Sequence, residues 1–244
     1  MEQLVLDLAD RVEAVPGHPL RDCWCEPGML VRGVRSLAAV VVRIFLYVYG
    51  RFTIVGRENL PVDRSFILVA NHASHLDTLC LLSALRIRQL HRAFPVAASE
   101  YFCVNSLLAL LAKLFVNVLP FDRQFGCWHS LSLCARMLQE RSGTILVLFP
   151  EGTRTGGIEP GKFKPGVGLL ASGRDVPVVP CHLAGTHAAL PKGAWFPRPS
   201  RIRLTIGVPR VYAHLSATKE SSRHISRELR ESVMSLGRIN REVA

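Results

Sequence analysis

The chain predicts an α/β fold, a mixed, mostly parallel sheet flanked by helices, with a membrane-interfacial helical element at its N-terminus. Three observations predict it. Short apolar runs recur at Phe66–Ala70, Phe94–Ala98, Phe115–Leu119, Thr144–Phe149 and Val176–Leu183, each the length of a buried strand, and Arg201–Ile206 adds a strand with period two. Between several of them lie helix-period segments: 77–86 with Leu79, Leu82 and Leu85 on one side, 99–113, and a stretch with Trp128, Leu131, Ala135 and Leu138 on one face. Alternation of this kind places helices on both faces of a largely parallel sheet. Finally, 244 residues of which 49% are hydrophobic suffice for one large core but leave a second independent domain cramped.

Taken in order, residues 2–14 alternate apolar and acidic positions like a short amphipathic helix, which Pro16, Gly17 and Pro19 end. Acid stands where a secretory signal needs base, so no export signal is expected. Leu37–Tyr49 is nearly all apolar and is interrupted by Arg43. As a helix it spans only about 20 Å against a hydrocarbon core of roughly 30 Å, and a central arginine adds roughly 2.5–3.5 kcal/mol to insertion. It is therefore not expected to cross. Arg32, Arg35 and Arg43 fall within an arc of about 80° at helical spacing and leave a broad apolar face. The arrangement fits an interfacial helix lying on an anionic membrane, or else a core helix with a solvated basic stripe. Residues 1–50 are thus expected to form a helical, membrane-associating segment and 51–244 the main domain.

Thirty Lys+Arg against nineteen Asp+Glu leave a net charge of +11, which suits an anionic membrane surface, phosphorylated substrates or nucleic acid. The basic residues are scattered, aromatics are 7%, and no RNP-like or helix-turn-helix pattern is present, so no nucleic-acid partner is expected. Seven cysteines, odd in number and mostly isolated, are the usage of a reducing compartment. Cys23-x-Cys25 near His18 matches no standard metal spacing.

The chemistry concentrates where the strand Phe66–Ala70 ends, at Asn71-His72-Ala73-Ser74-His75-Leu76-Asp77. A histidine there can serve as a general base near neutral pH, and a carboxylate one turn into the next helix can fix its tautomer. Ser74-x-x-Asp77 equally fits a capping box that satisfies helix-end amides. No G-x-S-x-G elbow supplies a nucleophile, which points to an alcohol of the substrate activated by His72. His72 and His75 lack the Cys or acidic companions of a metal site, so neither metal nor cofactor is expected.

A second cluster, Phe149-Pro150-Glu151-Gly152-Thr153-Arg154, follows the strand Thr144–Leu148 and emerges at the same sheet edge if the two strands are parallel. Gly152 lets backbone approach a ligand, and Arg154 offers a bidentate fork for a phosphate monoester or, alternatively, a partner for Glu151. Arg123 is either a further phosphate ligand or the partner of Asp122. Lys162 and Lys164 add ammonium groups just beyond the loop. Val176-Pro177-Val178-Val179-Pro180 looks structural, its prolines excluding central ladder positions.

Together these residues resemble the glycerolipid acyltransferases of the lysophosphatidic acid acyltransferase type. Asn71-His72 with Asp77 matches their N-H-x-x-x-x-D motif, Phe121-Asp122-Arg123 their arginine motif, Phe149 to Arg154 their F-P-E-G-T-R motif, and Val176 to Pro180 their proline motif, in the same order over roughly Arg51 to Pro209. The resemblance implies a mixed sheet flanked by helices, no metal, and an N-terminal helical element that seats the protein on the membrane. It implies transfer of a fatty acyl group from acyl-CoA or an acyl carrier protein (acyl-ACP) to the hydroxyl of 1-acyl-sn-glycerol 3-phosphate, giving phosphatidic acid. His72 would be the base and Asp77 its orienter, while Arg123, Glu151, Gly152, Thr153, Arg154 and Lys164 would bind substrate. The expected location is membrane-associated, peripheral or monotopic, on the cytoplasmic face. Asn117 departs from a frequent Gly, Thr155 from a Ser and Cys181 from a Val. These departures leave open a lysophospholipid with a larger head group or glycerol 3-phosphate as acceptor; the competing readings are hydrolysis of the thioester and a non-catalytic lipid-binding protein on the same fold.

Overall fold

A computed structural model describes residues 28–98, 116–121, 127–155, 160–191, 193–194 and 196–242. The amphipathic segment 2–14, the helix expected over 99–113, and Arg123 lie outside the described residues. Helix α1 (Met29–Tyr49) leads into β1 (Thr53–Val55), β2 (Phe66–Ala70), α2 (Leu76–Ala84), the single turn α3 (Ile87–Leu90) and β3 (Ala93–Ala98). Then come β4 (Leu119–Phe121), α4 (Cys127–Glu140), β5 (Ile145–Leu148), α5 (Gly166–Ala171), β6 (Val178–Ala184), the turn α6 (Thr186–Ala189), β7 (Arg203–Ile206) and α7 (Lys219–Glu242).

The seven strands form one sheet in the order β1-β7-β6-β2-β5-β3-β4. Every neighbouring pair is parallel except β6–β7, so the sheet is mixed and mostly parallel as the alternating pattern predicts. Strand β2 is central and buried throughout because its two faces feed separate cores. Ile67 and Val69 join the cluster built with α4, α5 and α7, whereas Phe66, Leu68 and Ala70 join the one built with α2 and Leu46 of α1. A run apolar at every position is what burial on both sides requires.

Several boundaries differ from the expectation. The described residues 116–118 of the strand expected over Phe115–Leu119 are not in a strand: Asn117 takes a left-handed conformation (φ 55°), and the ladder starts only at Leu119. Asparagine tolerates that conformation as glycine does, which accounts for Asn117 at a position where glycine is frequent. Pro180 lies inside β6, an inner strand, contrary to the exclusion expected of proline. It sits where the antiparallel ladder is interrupted: Val178 bridges Arg210, Cys181 pairs with Ile206, and between them Gly207 N–H donates to Pro180 O (2.8 Å). The missing proline donor therefore falls at a gap. Edge strand β1 and the long α7 had no counterpart in the sequence-based expectation.

Helix α1 carries the largest correction. Its arginine arc does not face outward: Arg35 is buried and donates to Asn117 Oδ1 (3.3 Å), and Arg43 donates to Leu85 O at the C-terminal end of α2. Leu30, Leu37, Val41, Ile44 and Val48, which share one face at helical spacing, are exposed. The helix thus turns two arginines together with Leu46 and Val42 toward the protein and a purely apolar face toward its surroundings. No helix among the described residues is long and apolar enough to cross a membrane.

Candidate active site

The site forms at the C-terminal ends of β2 and β5, which are hydrogen-bonded parallel neighbours with Val69 opposite Leu148. That pairing brings the His72 and Glu151 segments to one edge, the place where open α/β sheets bind ligands. Asn71 clamps the end of β2 to β6: its Nδ2 donates to Leu183 O (3.0 Å) and its Oδ1 accepts from Leu183 N–H (2.8 Å). The side chain copies a ladder pair just where the backbone leaves the sheet.

His72 Nδ1 lies 3.0 Å from Asp77 Oδ2, with the carboxylate fully buried and the imidazole partly exposed. The same Oδ2 accepts from Ala73 N–H (2.7 Å) and Ser74 N–H (2.8 Å). Asp77 therefore performs both functions weighed from the sequence, since one oxygen closes the first turn of α2 and orients the histidine. An acceptor at Nδ1 places the ring proton there and leaves Nε2 as the basic nitrogen. The other half of the capping box is shifted by one residue: Ser74 Oγ accepts from Leu76 N–H (3.3 Å) and donates to Leu190 O (2.8 Å), while Asp77 N–H donates to Ser74 O (3.2 Å). The His72 ring stacks on Phe149 with centroids 4.1 Å apart, which fixes its plane from the other side.

Glu151, expected among the substrate ligands, is buried and faces inward. Its Oε1 accepts from His72 N–H (2.8 Å), and its Oε2 accepts from Gly161 N–H (2.8 Å) and the Thr155 hydroxyl (2.5 Å). Thr155 N–H in turn donates to His72 O (2.9 Å). The carboxylate thus ties the second cluster to the first, and it does not pair with Arg154. Among the described residues Arg154 and Lys164 have no hydrogen bond or ion pair from their side chains. Thr153 is exposed and Arg154 half-buried. Gly152 has φ 76°, a conformation that favours glycine, and the Lys164 side chain folds over it, its Nζ 2.9 Å from where a Cβ would stand. Burial first, then the neighbouring Arg154 and His72, lower the His75 pKa, and Asp77 opposes them.

Beside Phe149 lies an apolar cavity of ≈ 350 Å³, lined by residues such as Val96, Trp128, Leu131 and Leu170, with Gly152 and Lys164 also on its wall. The sequence offered no sign of this cavity, which draws on β3, α4, β5 and α5. Phe149 as the histidine's platform and Asn71 as a clamp were also missed. The spacing of His72 and Asp77 and the candidacy of Arg154 and Lys164 were readable in advance.

A family model described as Acyltransferase matches residues 51–184, more than half of the chain, and the chain belongs to that family. Among its relatives, it is 32% identical over 164 residues to a chloroplast 1-acyl-sn-glycerol-3-phosphate acyltransferase of Arabidopsis thaliana, covering 65% of this chain and 43% of that protein. It is 26% identical over 174 residues to the 1-acyl-sn-glycerol-3-phosphate acyltransferase of Bacillus subtilis, covering 71% and 81%. The matches span about half the length of several of these curated relatives. The crystal structure of the 1-acyl-sn-glycerophosphate (LPA) acyltransferase PlsC from Thermotoga maritima shares the fold, with a TM-score of 0.63 over 96% of this chain and 94% of that one at 23% identity.

Proposed function

We propose that the protein transfers a fatty acyl group from acyl-CoA or acyl-ACP to the free hydroxyl of 1-acyl-sn-glycerol 3-phosphate, giving phosphatidic acid. One observation carries the reading: a buried Asp77 engages His72 Nδ1 (3.0 Å) and leaves Nε2 as the free ring nitrogen, beside an apolar cavity bordered by Lys164, whose ammonium has no partner among the described residues. In this reading His72 Nε2 takes the proton of the acceptor hydroxyl as its oxygen attacks the thioester carbonyl. The thiolate then leaves and is protonated in turn, while Asp77 stabilises the imidazolium between the two transfers. Arg154 and Lys164, with Arg123 and Thr153, bind the acceptor phosphate, Gly152 lets it approach backbone, and the cavity takes the acyl chain. Glu151 serves by holding His72 and not by touching the acceptor.

Residues 1–50 form the membrane-associating segment and 51–244 the acyltransferase domain. The exposed apolar face of α1 rests in the lipid surface on the cytoplasmic side, where a lysophospholipid resides, as a peripheral or monotopic attachment. The test is mass spectrometry of products from acyl-CoA offered with a panel of lyso-acceptors. Phosphatidic acid should form from 1-acylglycerol 3-phosphate in preference to products from lysophospholipids with larger head groups or from glycerol 3-phosphate. Thiol release at the same rate without any acceptor would instead identify a thioesterase.

A further inference from the structure

We propose that Arg230, on α7 and outside the segment matched by the family model, is a positioning residue for His72 that acts through the Pro160–Gly161 peptide and Glu151. Its guanidinium grips two successive carbonyls, Nε donating to Gly161 O (2.9 Å) and Nη2 to Pro160 O (2.9 Å). The peptide group that offers Pro160 O as acceptor offers Gly161 N–H as donor, and that N–H donates to Glu151 Oε2 (2.8 Å). A cation, one peptide unit and a buried carboxylate therefore lie in a single hydrogen-bonded line. Glu151 Oε1 continues the line to His72 N–H.

The arrangement answers a problem posed by Glu151. Its donors among the described residues are two backbone N–H groups and a hydroxyl, none of them charged, and a buried carboxylate without compensating charge is costly. Arg230 polarises the Pro160–Gly161 peptide and so strengthens the N–H bond to the carboxylate, as chains of hydrogen bonds do in a low-dielectric interior. A Cβ at 161 would lie 3.0 Å from Glu151 Oε2 and 3.2 Å from Thr155 Cγ2, so a side chain there would press on the carboxylate. The guanidinium is itself held in place. Ile225, Leu229 and Val233 seat α7 in the core, and the helix abuts α5 so closely that a Cβ at Gly168 would lie 2.0 Å from Ser222 O. Lysine could supply the charge but not the planar fork to both carbonyls.

The proposal rests on His72 being the base, so the experiment reads His72 as well as turnover. Wild type, Arg230→Met, Arg230→Lys and, as a control on the exposed side of α7, Arg223→Met are assayed with 1-acylglycerol 3-phosphate and acyl-CoA. Imidazole nitrogen resonances of His72 are followed against pH in the same proteins. Misplacing a catalytic group by about 1 Å costs about a hundredfold, so partial loosening in Arg230→Met should lower kcat roughly tenfold while both KM values change by less than about twofold. Arg230→Lys should fall between, Arg223→Met should match wild type, and the His72 resonances should move in Arg230→Met. In a Glu151→Gln background the further loss from Arg230→Met should shrink, because both changes break one line. A wild-type kcat in Arg230→Met, or an unmoved His72 signal, overturns the proposal. If Arg230→Met does not fold, Arg230→Lys decides: a wild-type kcat with an unmoved His72 signal is then the overturning result. Should wild type turn over no acceptor, the proposed function fails, and the His72 resonances alone decide the positioning claim.

Discussion

Asp77 shows why a single carboxylate is hard to classify from sequence. Its Oδ2 accepts from His72, Ala73 and Ser74 together, while Oδ1 is buried with no hydrogen bond among the described residues. In Asp77→Asn one oxygen can still close the helix turn, which puts the amide nitrogen at the unpartnered Oδ1 position. A buried unsatisfied donor there costs about 1–3 kcal/mol. If the amide is flipped, its N–H₂ faces Nδ1 and drives the ring proton to Nε2, which removes the base. Either way the imidazolium loses its counter-charge. We expect kcat to fall by about 10²–10⁴ and the melting temperature by several degrees, measured by steady-state kinetics and calorimetry. A variant that melts earlier but turns over like wild type would show that the carboxylate only caps the helix.

Among the elements, α1 departs furthest from its expected role. Its arginines were expected to meet anionic lipid, yet Arg35 and Arg43 are spent on Asn117 and on the end of α2, where a cation meets the negative end of the helix dipole. What remains outside is apolar: Leu37, Val41, Ile44 and Val48. Attachment should then depend on burying these side chains, at roughly 1.5–3 kcal/mol each when fully buried, and little on salt. Binding to neutral phosphatidylcholine vesicles in flotation assays should persist at high salt, and Ile44→Glu with Val48→Glu should weaken it by roughly a hundredfold or more. Release of the unaltered protein by salt alone would return the attachment to electrostatics. Helix α7 makes a different point, since a Thr218 that accepts from Ser221 N–H (3.1 Å) precedes Ile225, Leu229 and Val233 at helical spacing. Its start signal and apolar face were present in the sequence, but a helix with no motif residue attracts no functional expectation.

For the molecule as a whole, acid should be destabilising. Burial, with Arg154 and His72, lowers the pKa of His75, and burial, with Arg32 and Arg35, lowers that of His91, whose Nδ1 is enclosed. Below the unfolded value of about 6.5 the unfolded chain binds protons that the native state resists, so stability is full above that pH and declines as pH drops through it. Urea midpoints at pH 7.5, 6.5 and 5.5 should fall in that order, less steeply for His91→Gln; a midpoint that rises on acidification contradicts the assignment. The fold class and the His72–Asp77 pair were legible in the sequence because they rest on local periodicity and on spacing within one turn. Arg154 and Lys164 were legible as candidates for the same reason, whereas the parallel pairing that joins the two clusters entered the sequence-based expectation only as a condition. Long-range packing decided the rest: which way the α1 arginines turn, that Glu151 faces inward, that Phe149 backs the histidine, and that a cavity opens beside them. Each of these depends on partners tens of residues away, such as Glu151 for His72 and Arg230 for Gly161. A charged side chain reads identically in sequence whether it meets solvent, substrate or a carbonyl across the core, and only the folded chain supplies the neighbour that settles it.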